Sequence, residues 1–374
     1  MSELLTLSLI FSAIRLATPL IFAALGGMFS ERSGIINIAL EGLMLAGAFT
    51  AAVMTFELHN PYLGMLCAVI AGAGLAFVYA VAVIKFEANQ VVAGTAINFL
   101  MLGLPQLISG AVYDSSGSTP QIPKEFLLPD FSSFILNLSA FGVVSLVFIL
   151  IVFLVIYGTS FNWLIIPTKE SGGKFIGQII RIFASFAVTV LIFWILRFAA
   201  GFSVFSNIST ASILAFLIVP ICWYVMYKTP FGLRIRAVGE NPAAADAAGI
   251  NVLRMRYTGV ILSGVLAAAG GAYLSIGQSS LFTRGMTAGR GFIALAALIL
   301  AKWKPVPVLL ACLFFGFMEA LTIPLGNIKL ASGDPVPVQF IQIIPYVLTI
   351  IVLAGFIGLS RAPKALGIPY NKEK

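Results

Sequence analysis

Apolar runs of about twenty residues recur along this chain and most strongly limit what it folds into. A helix needs about 20 mostly apolar residues to cross the hydrocarbon core of a bilayer. Polar breaks separate candidate segments at roughly 4–29, 35–56, 61–84, 89–110, 138–157, 181–201, 208–227, 257–277, 291–301, 305–323 and 339–359. The segment 291–301 is long enough for only about half a crossing, which indicates a broken or re-entrant helix or one extended by its flanks. The pattern predicts an all-α polytopic membrane protein, a bundle of about 10–11 transmembrane helices forming a single domain over 1–374.

Composition excludes the main alternatives to a membrane protein. Of the 374 residues, 60% are hydrophobic and only 10% are charged, whereas typical globular chains carry about 25% charged residues. A soluble domain, a disordered chain and a nucleic-acid binder are excluded, although the net charge is +8. Cys67, Cys222 and Cys312 lie in apolar stretches without metal-like spacing, so we expect neither a disulfide framework nor a metal site.

The distribution of Lys and Arg among the loops predicts the orientation of the chain. When loops are assigned to alternate sides of the membrane, sixteen of these residues fall on one side and four on the other. Positively charged loops stay in the cytoplasm. The bias therefore predicts a cytoplasmic C-terminus and a cytoplasmic loop at 228–256, with residues 111–137 outside.

Four polar residues inside predicted spans are candidates for a solute pathway. Asn37 and Glu41 are four residues apart and share one face of the second span. Asn98 in the fourth span and Glu319 in the tenth are candidates of the same kind. Intramembrane polar residues are costly and mark pathways or helix contacts. Two interpretations of Glu41 remain open, a carboxylate that hydrogen-bonds a solute and a buried carboxyl that joins two helices.

Small residues form a stripe on the eighth predicted span. Such stripes let helix backbones approach closely in membranes, so we interpret this one as a packing surface rather than as a site of chemistry. The stripe consists of Gly259, Ser263, Gly264, Ala267, Ala268 and Gly271.

The loop 228–256 encodes a short helix at Asn241–Gly249. Asn241 followed by Pro242 is typical of an N-cap and a first helical residue. An alanine run interrupted by Asp246 favours helix, and Gly249 is a natural C-terminal stop. About two turns of helix are not stable alone in water. The element is either a plain connector between spans or a helix that docks on another surface, for which its alanines at 243, 244, 245, 247 and 248 leave room.

Four stretches carry a resemblance to a known family. They are FGLRIRAVGENPAAADAAGINVLRMRYTGVILSGVLAAAGGAYLSIGQ in and after the loop, GGMFSERSGIINIALEGLMLAGAF at 26–49, TAGRGFIALAALILAKWKP at 287–305 and PYVLTIIVLAGFIGLSRAPKALGIPY at 345–370. The chain resembles bacterial ABC-importer permeases of the ribose and branched-chain amino acid superfamily, and within that group it is most similar to nucleoside uptake permeases. The resemblance thins out at 138–201, which looks like an extra pair of spans.

The resemblance implies a permease subunit in the bacterial plasma membrane that translocates nucleosides or a related ribose-bearing solute. Its implied partners are ATP-binding-cassette ATPase subunits, a second permease subunit that is a paralogue or a second copy, an extracytoplasmic substrate-binding lipoprotein or protein, and membrane lipid. It also implies that the 228–256 loop couples the permease to the ATPase. The implied coupling residues are Arg236, Glu240, Asn241, Pro242, Ala244, Asp246, Ala248 and Gly249.

Two other classes of function compete with this interpretation. A secondary active transporter driven by an ion gradient would use Glu41 as a proton site, but the chain lacks a clear pair of matching broken helices in two halves. An enzyme is disfavoured because Gly172-Gly173-Lys174 only partly fits GxxxxGK[ST]. Thr168 replaces the first glycine, and Phe175 replaces the Ser or Thr that binds magnesium. We expect ATP hydrolysis on separate subunits, with no catalytic residue and no cofactor in this chain.

Overall fold

The structure is a computed structural model that describes residues 7–115, 117–130, 209–325 and 362–370, together with the single positions Ile343 and Val347. Within these residues the regular secondary structure is helical, and the only β contacts are the isolated bridges Ser118–Thr283 and Asp130–Ser209. The candidate spans at 138–157, 181–201 and, apart from those two positions, 339–359 lie outside the described residues. The all-α prediction is confirmed.

Helices follow one another with short connections. In chain order they are α1 (Leu7–Arg32), α2 (Leu40–Leu58), α3 (Pro61–Ala80) continued by a π-helical turn (Val81–Lys85), α4 (Gln90–Tyr113), a 3-10 turn (Lys124–Phe126), α5 (Thr210–Lys228), α6 (Pro230–Glu240), α7 (Pro242–Ala247), α8 (Val252–Ala272) continued by a π-helical segment (Tyr273–Ser279), α9 (Arg290–Leu300) and α10 (Pro305–Leu325). Seven of these, α1 to α5, α8 and α10, are long and apolar enough to cross a membrane, while α9 is a shorter apolar helix. The chain is a multi-pass membrane protein.

The chain divides into two compact units, one made of Met1–Leu128 and Leu214–Lys374 and the other of Pro129–Ile213. In the second unit the described residues include Thr210, whose backbone N–H donates to the carbonyl of Pro129 (3.2 Å). The predicted extra pair of spans at 138–201 falls within this unit but outside the described residues, so it stays a prediction.

Helices α1, α2 and α8 form the interior of the larger unit. About three quarters of each of these helices is buried, against about one third of α3, α4, α5 and α10. The small-residue stripe of α8 packs here as predicted. A Cβ placed on Gly47 of α2 would lie 2.2 Å from the carbonyl oxygen of Ala268, and one on Gly271 would lie 1.8 Å from that of Met44.

Two predicted span boundaries were wrong. Helix α2 begins at Leu40 rather than near residue 35, because the preceding loop satisfies its polar groups through side chains. The backbone N–H of Ile36 donates to Oε1 of Gln90 (2.8 Å), and the Ser30 hydroxyl donates to the carbonyl of Ile35 (2.8 Å). Helix α8 begins at Val252 rather than near 257 because Asn251 caps it, accepting from the backbone N–H of Arg254 (2.9 Å).

Candidate functional site

The short helix α9 begins inside the helix bundle, and the carboxylate of Glu41 binds its first turn. Oε1 of Glu41 accepts hydrogen bonds from the Thr287 hydroxyl (2.6 Å) and from the backbone N–H of Gly289 (2.8 Å). Oε2 accepts from the backbone N–H of Gly291 (2.7 Å). The N-cap of α9 is Gly289, which has no side chain to do this. Glu41, on α2, therefore caps a helix that lies about 250 residues away in sequence.

Glu41 also lies in the first turn of its own helix, α2. Its negative charge is thus close to the N-terminal ends of both α2 and α9, each of which carries a partial positive charge from unpaired N–H groups. The residue is only 8% exposed. Burial of a carboxylate requires such compensation, and here two helix ends and three donors provide it.

Asn98 on α4 serves the N-terminus of α2 in the same way. Its Oδ1 accepts from the backbone N–H of Gly42 (2.8 Å), and its Nδ2 donates to the carbonyl of Ile38 (2.9 Å). Both groups belong to the region where α2 begins, which has no side-chain cap of its own at Ala39. Non-helical backbone at membrane depth is tolerated only where the protein satisfies its polar groups, and Asn98 does so here.

Glu319 on α10 is paired with the first residue of α9. Nη2 of Arg290 donates to Oε1 of Glu319, and Nη1 donates to the carbonyl of Met286 (3.2 Å). The side chains of Arg290 and Glu319 are 14% and 27% exposed, so this pair lies at the edge of the buried region. The structure therefore brings two of the four predicted pathway residues, Glu41 and Glu319, to one end of α9.

Asn37 lies in the loop before α2, so the prediction that it shares a helix face with Glu41 was wrong, and it is fully buried. Its Nδ2 donates to the hydroxyl of Ser263 on α8 (2.8 Å). Its Oδ1 is buried without a hydrogen-bond partner. A role of Asn37, Glu41, Asn98 and Glu319 in the solute pathway stays a prediction. In this chain, three of them hold together non-consecutive helices.

Sequence reasoning missed the partners of Glu41. Thr287, Gly289 and Gly291 all lie in the run TAGRGF, but a set of donors far away in sequence leaves no local spacing that would point to Glu41. One signal for these partners was available. Gly-Arg-Gly stands at the start of an apolar run that is too short to cross the membrane. Such a helix needs a cap within the protein.

The loop 228–256, which the resemblance implies to be the coupling loop, folds into two consecutive short helices, α6 and α7. Asn241 ends the first and begins the second, because its backbone N–H donates to the carbonyl of Ala237 (2.9 Å) and its Oδ1 accepts from the N–H of Ala244 (3.0 Å). The predicted N-cap, the first-turn proline and the left-handed Gly249 (φ 80°) are confirmed. The helix itself is shorter than predicted and ends at Ala247. Helix α6, which precedes it, was not predicted.

Most of the predicted coupling residues lie on the outer side of this loop. Glu240, Asn241, Ala244, Ala248 and Gly249 are exposed, whereas Arg236, Pro242 and Asp246 are partly buried.

The guanidinium of Arg236 stacks on the ring of Tyr227, 4.8 Å from its centroid. Ala245 was wrongly placed among the docking alanines, because it is 4% exposed and packs inward against Val238 and Val252.

Within the described residues, no group of three or more His, Cys, Asp and Glu side chains is arranged to hold a metal ion. The chemistry available at the start of α9 is hydrogen bonding by a carboxylate, an ion pair and backbone amides. None of these groups is arranged as a nucleophile with an adjacent base.

Comparison with known proteins gives a family. The profile of the family described as "Branched-chain amino acid transport system / permease component" matches residues 9–161 and 138–353. No solved structure matches the chain.

Several relatives align over nearly the whole chain. The guanosine ABC transporter permease protein NupQ of Bacillus subtilis is 38% identical over 96% of this chain and 94% of its own length. The nucleoside ABC transporter permease protein NupC of Lactococcus lactis is 35% identical over 96% and 95%. A second Bacillus subtilis protein, the guanosine ABC transporter permease protein NupP, is 25% identical over 93% and 80%. This chain therefore belongs to the family of permease components described for branched-chain amino acid transport systems.

Proposed function

We propose that the chain is the transmembrane permease subunit of an ATP-binding-cassette importer that carries nucleosides into the cytoplasm. The observation that carries the proposal is the similarity of 38% and 35% over 96% of the chain to permeases named for guanosine and nucleoside transport. The extra length at 138–201 lies within the aligned span of these relatives, which supports treating the chain as one permease domain.

The charges at the start of α9 agree with a solute that is neutral at physiological pH. The positive end of a half-helix near the middle of a transporter attracts anionic substrate groups. Here Glu41 already occupies that end, and Arg290 is paired with Glu319. A phosphorylated or carboxylate solute gains no free cation at this position, whereas the hydroxyls and base edge of a nucleoside need only hydrogen-bonding partners.

The orientation is supported by contacts at one end of the bundle. The C-terminal segment 362–370 packs on the coupling loop, where the N–H of Ala365 donates to the carbonyl of Gly239 (2.9 Å). The loop and this segment therefore lie on the same side of the membrane. The loop carries Lys228, Arg234, Arg236 and Arg254, and positively charged loops face the cytoplasm. This supports a bacterial plasma-membrane protein with a cytoplasmic C-terminus.

The partners follow from the same proposal. ATPase subunits would bind α7, an extracytoplasmic lipoprotein or protein would deliver the solute, and a second permease subunit would complete the pathway. The existence of two guanosine permease proteins in Bacillus subtilis, both similar to this chain, favours a paralogous pair over two identical copies.

Uptake of labelled guanosine by cells that express the complete transporter tests the function. Unlabelled adenosine, uridine, ribose and leucine are added as competitors. We expect the nucleosides to compete, ribose and leucine to be ineffective, and uptake to survive dissipation of ion gradients but not ATP depletion. Competition by leucine or ribose alone would contradict the assignment of nucleosides, and loss of uptake with the ion gradients would favour the secondary transporter.

Docking of the ATPase is tested by adding bulk to the exposed side of α7. Ala244→Trp and Ala248→Trp are expected to abolish co-purification of the ATPase and uptake together, while the permease still inserts and stays folded. Val112→Trp, at an exposed position (60%) near the C-terminal end of α4, is the control for added bulk. Normal co-purification with both α7 variants would mean that the loop is only a connector.

A further inference from the structure

The turn that follows α9 has an unusual backbone. Lys302 and Trp303 are consecutive non-glycine residues with left-handed conformations, each with φ 54°. Side chains other than glycine rarely adopt this region, and such residues persist only where surrounding groups hold them in place. This turn lies between the end of α9 and the start of α10, so its conformation determines where the C-terminal end of α9 points.

The last two residues of α1 hold this turn. The indole N–H of Trp303, which is 4% exposed, donates to Oε2 of the buried carboxylate of Glu31 (2.5 Å). Nε and Nη2 of Arg32 donate to the carbonyl of Trp303 (3.3 and 3.2 Å). The indole of Trp303 is therefore held by the carboxyl of Glu31 and its backbone by the guanidinium of Arg32, and hydrogen bonds from a charged donor are the stronger kind.

The same end of α1 is in contact with the coupling loop. Gly239, in the last turn of α6, lies so close to Arg32 that a Cβ there would be 2.2 Å from the carbonyl oxygen of Arg32 and 2.9 Å from its carbonyl carbon. Helix α6 leads directly into α7 through Asn241. A displacement of α7 consequently reaches Arg32, because α6 is joined to α7 and its Gly239 is packed directly against the backbone of Arg32. Arg32 in turn holds Trp303.

We propose that Glu31, Arg32 and Trp303, which we call the α1 clamp, are positioning residues that transmit movement of the ATPase-facing helices to α9. The proposal rests on the proposed function, because it requires an ATPase that moves α7. With the α1 clamp closed, the left-handed turn is held and α9 keeps its orientation. When α6 moves Arg32, the turn loses its supporting hydrogen bonds and relaxes, and the cytoplasmic end of α9 shifts.

Uncoupling of ATP hydrolysis from uptake distinguishes transmission from a merely structural role. Trp303→Phe keeps an aromatic ring but removes the N–H, and Glu31→Leu removes the acceptor. In the complete transporter reconstituted in liposomes, we expect guanosine uptake to fall about tenfold, the size of effect expected from losing one buried hydrogen bond. ATP hydrolysis and co-purification of the subunits should stay near wild type. Glu31→Gln, which retains an acceptor for the indole, should keep most of the wild-type uptake, in contrast to Glu31→Leu.

Trp223→Phe is the matched control, because Trp223 is 37% exposed on α5 and lies outside the α1 clamp. An equal fall in uptake and ATP hydrolysis for Trp303→Phe, or unchanged values for both, would overturn the proposal. Failure of the proposed function looks different, because the wild-type protein itself would then show no ATP-dependent uptake of guanosine.

The fluorescence of Trp303 gives a second readout. The chain has four tryptophans, so a Trp163→Phe, Trp194→Phe and Trp223→Phe variant leaves Trp303 as the only one. In the complete transporter, with the tryptophans of the partner subunits also replaced by Phe, addition of a non-hydrolysable ATP analogue should shift the emission of Trp303 to longer wavelength as the indole leaves its buried site. Emission that is identical with and without the nucleotide would contradict opening of the α1 clamp.

Discussion

The two ends of α9 are held by different means. At the N-terminal end, one carboxylate, Glu41, accepts three hydrogen bonds inside the bundle, two of them from backbone N–H groups. At the C-terminal end, two side chains from α1 reach the left-handed turn of Lys302 and Trp303, in which Lys302 is exposed and which the exposed Lys304 follows. Three hydrogen bonds to one buried carboxylate are expensive to open, whereas at the C-terminal end only the bond between Trp303 and Glu31 is buried, and water can replace the bonds that Arg32 makes to the exposed side of the turn. The N-terminal end of α9 therefore acts as the anchor, and the C-terminal end is the part that moves.

Removal of the anchor has the largest expected effect. Glu41→Leu leaves one hydroxyl and two backbone N–H groups buried without an acceptor, at about 1–3 kcal/mol each. The combined loss is a large part of the total stability of a typical protein. We expect the variant to be recovered in much lower amount, with a lowered thermal unfolding midpoint in detergent. A midpoint equal to that of the wild type would mean that these hydrogen bonds do not hold α9.

Glu41→Gln separates the charge from the shape at the same position. One amide oxygen still accepts from Thr287 and Gly289, but the amide nitrogen then faces the N–H of Gly291, and the charge near two helix ends is lost. We expect assembly of the complex to survive while uptake falls. If Glu41→Gln and Glu41→Ala both prevent assembly, Glu41 is a structural carboxyl only.

Most apolar helices of the described residues could be located from the sequence, but the starts of α2 and α8, the helix α6 and the contacts at the ends of α9 could not. The apolar run 291–301 was recognisably too short for a crossing, and Asn241 was recognisable as a cap, because both depend only on neighbouring residues. The partners of Glu41 and Glu31 lie about 250–270 residues away in sequence. Such contacts depend on how helices pack in three dimensions, for which hydrophobic periodicity carries no signal.

A smaller effect is expected from crowding the anchor without removing it. In Gly291→Ala, the new methyl group would lie 2.5 Å from the backbone nitrogen of Glu41 and 2.6 Å from its Cα. Inserting a methyl group into a packed contact costs about 1–3 kcal/mol, so the unfolding midpoint and uptake should both fall. Gly103→Ala on α4 is the control, since a Cβ there meets nothing within 4 Å. Equal midpoints for the two variants would show that α9 does not pack against α2 this closely.

The smallest expected effect comes from relieving backbone strain beside the anchor. Ala288 has φ 45°, a conformation that glycine adopts without steric cost. Ala288→Gly should therefore raise the free energy of unfolding by up to about 1 kcal/mol, partly offset by the greater freedom of glycine in the unfolded chain. Ala296→Gly makes the same change inside α9 and should lower the free energy of unfolding by about 0.5–1 kcal/mol. Because the N-terminal end of α9 is the anchor, uptake by Ala288→Gly should equal that of the wild type. A change in uptake without a change in stability would mean that the N-terminal end of α9 moves during transport, which would reverse the assignment of anchor and moving end.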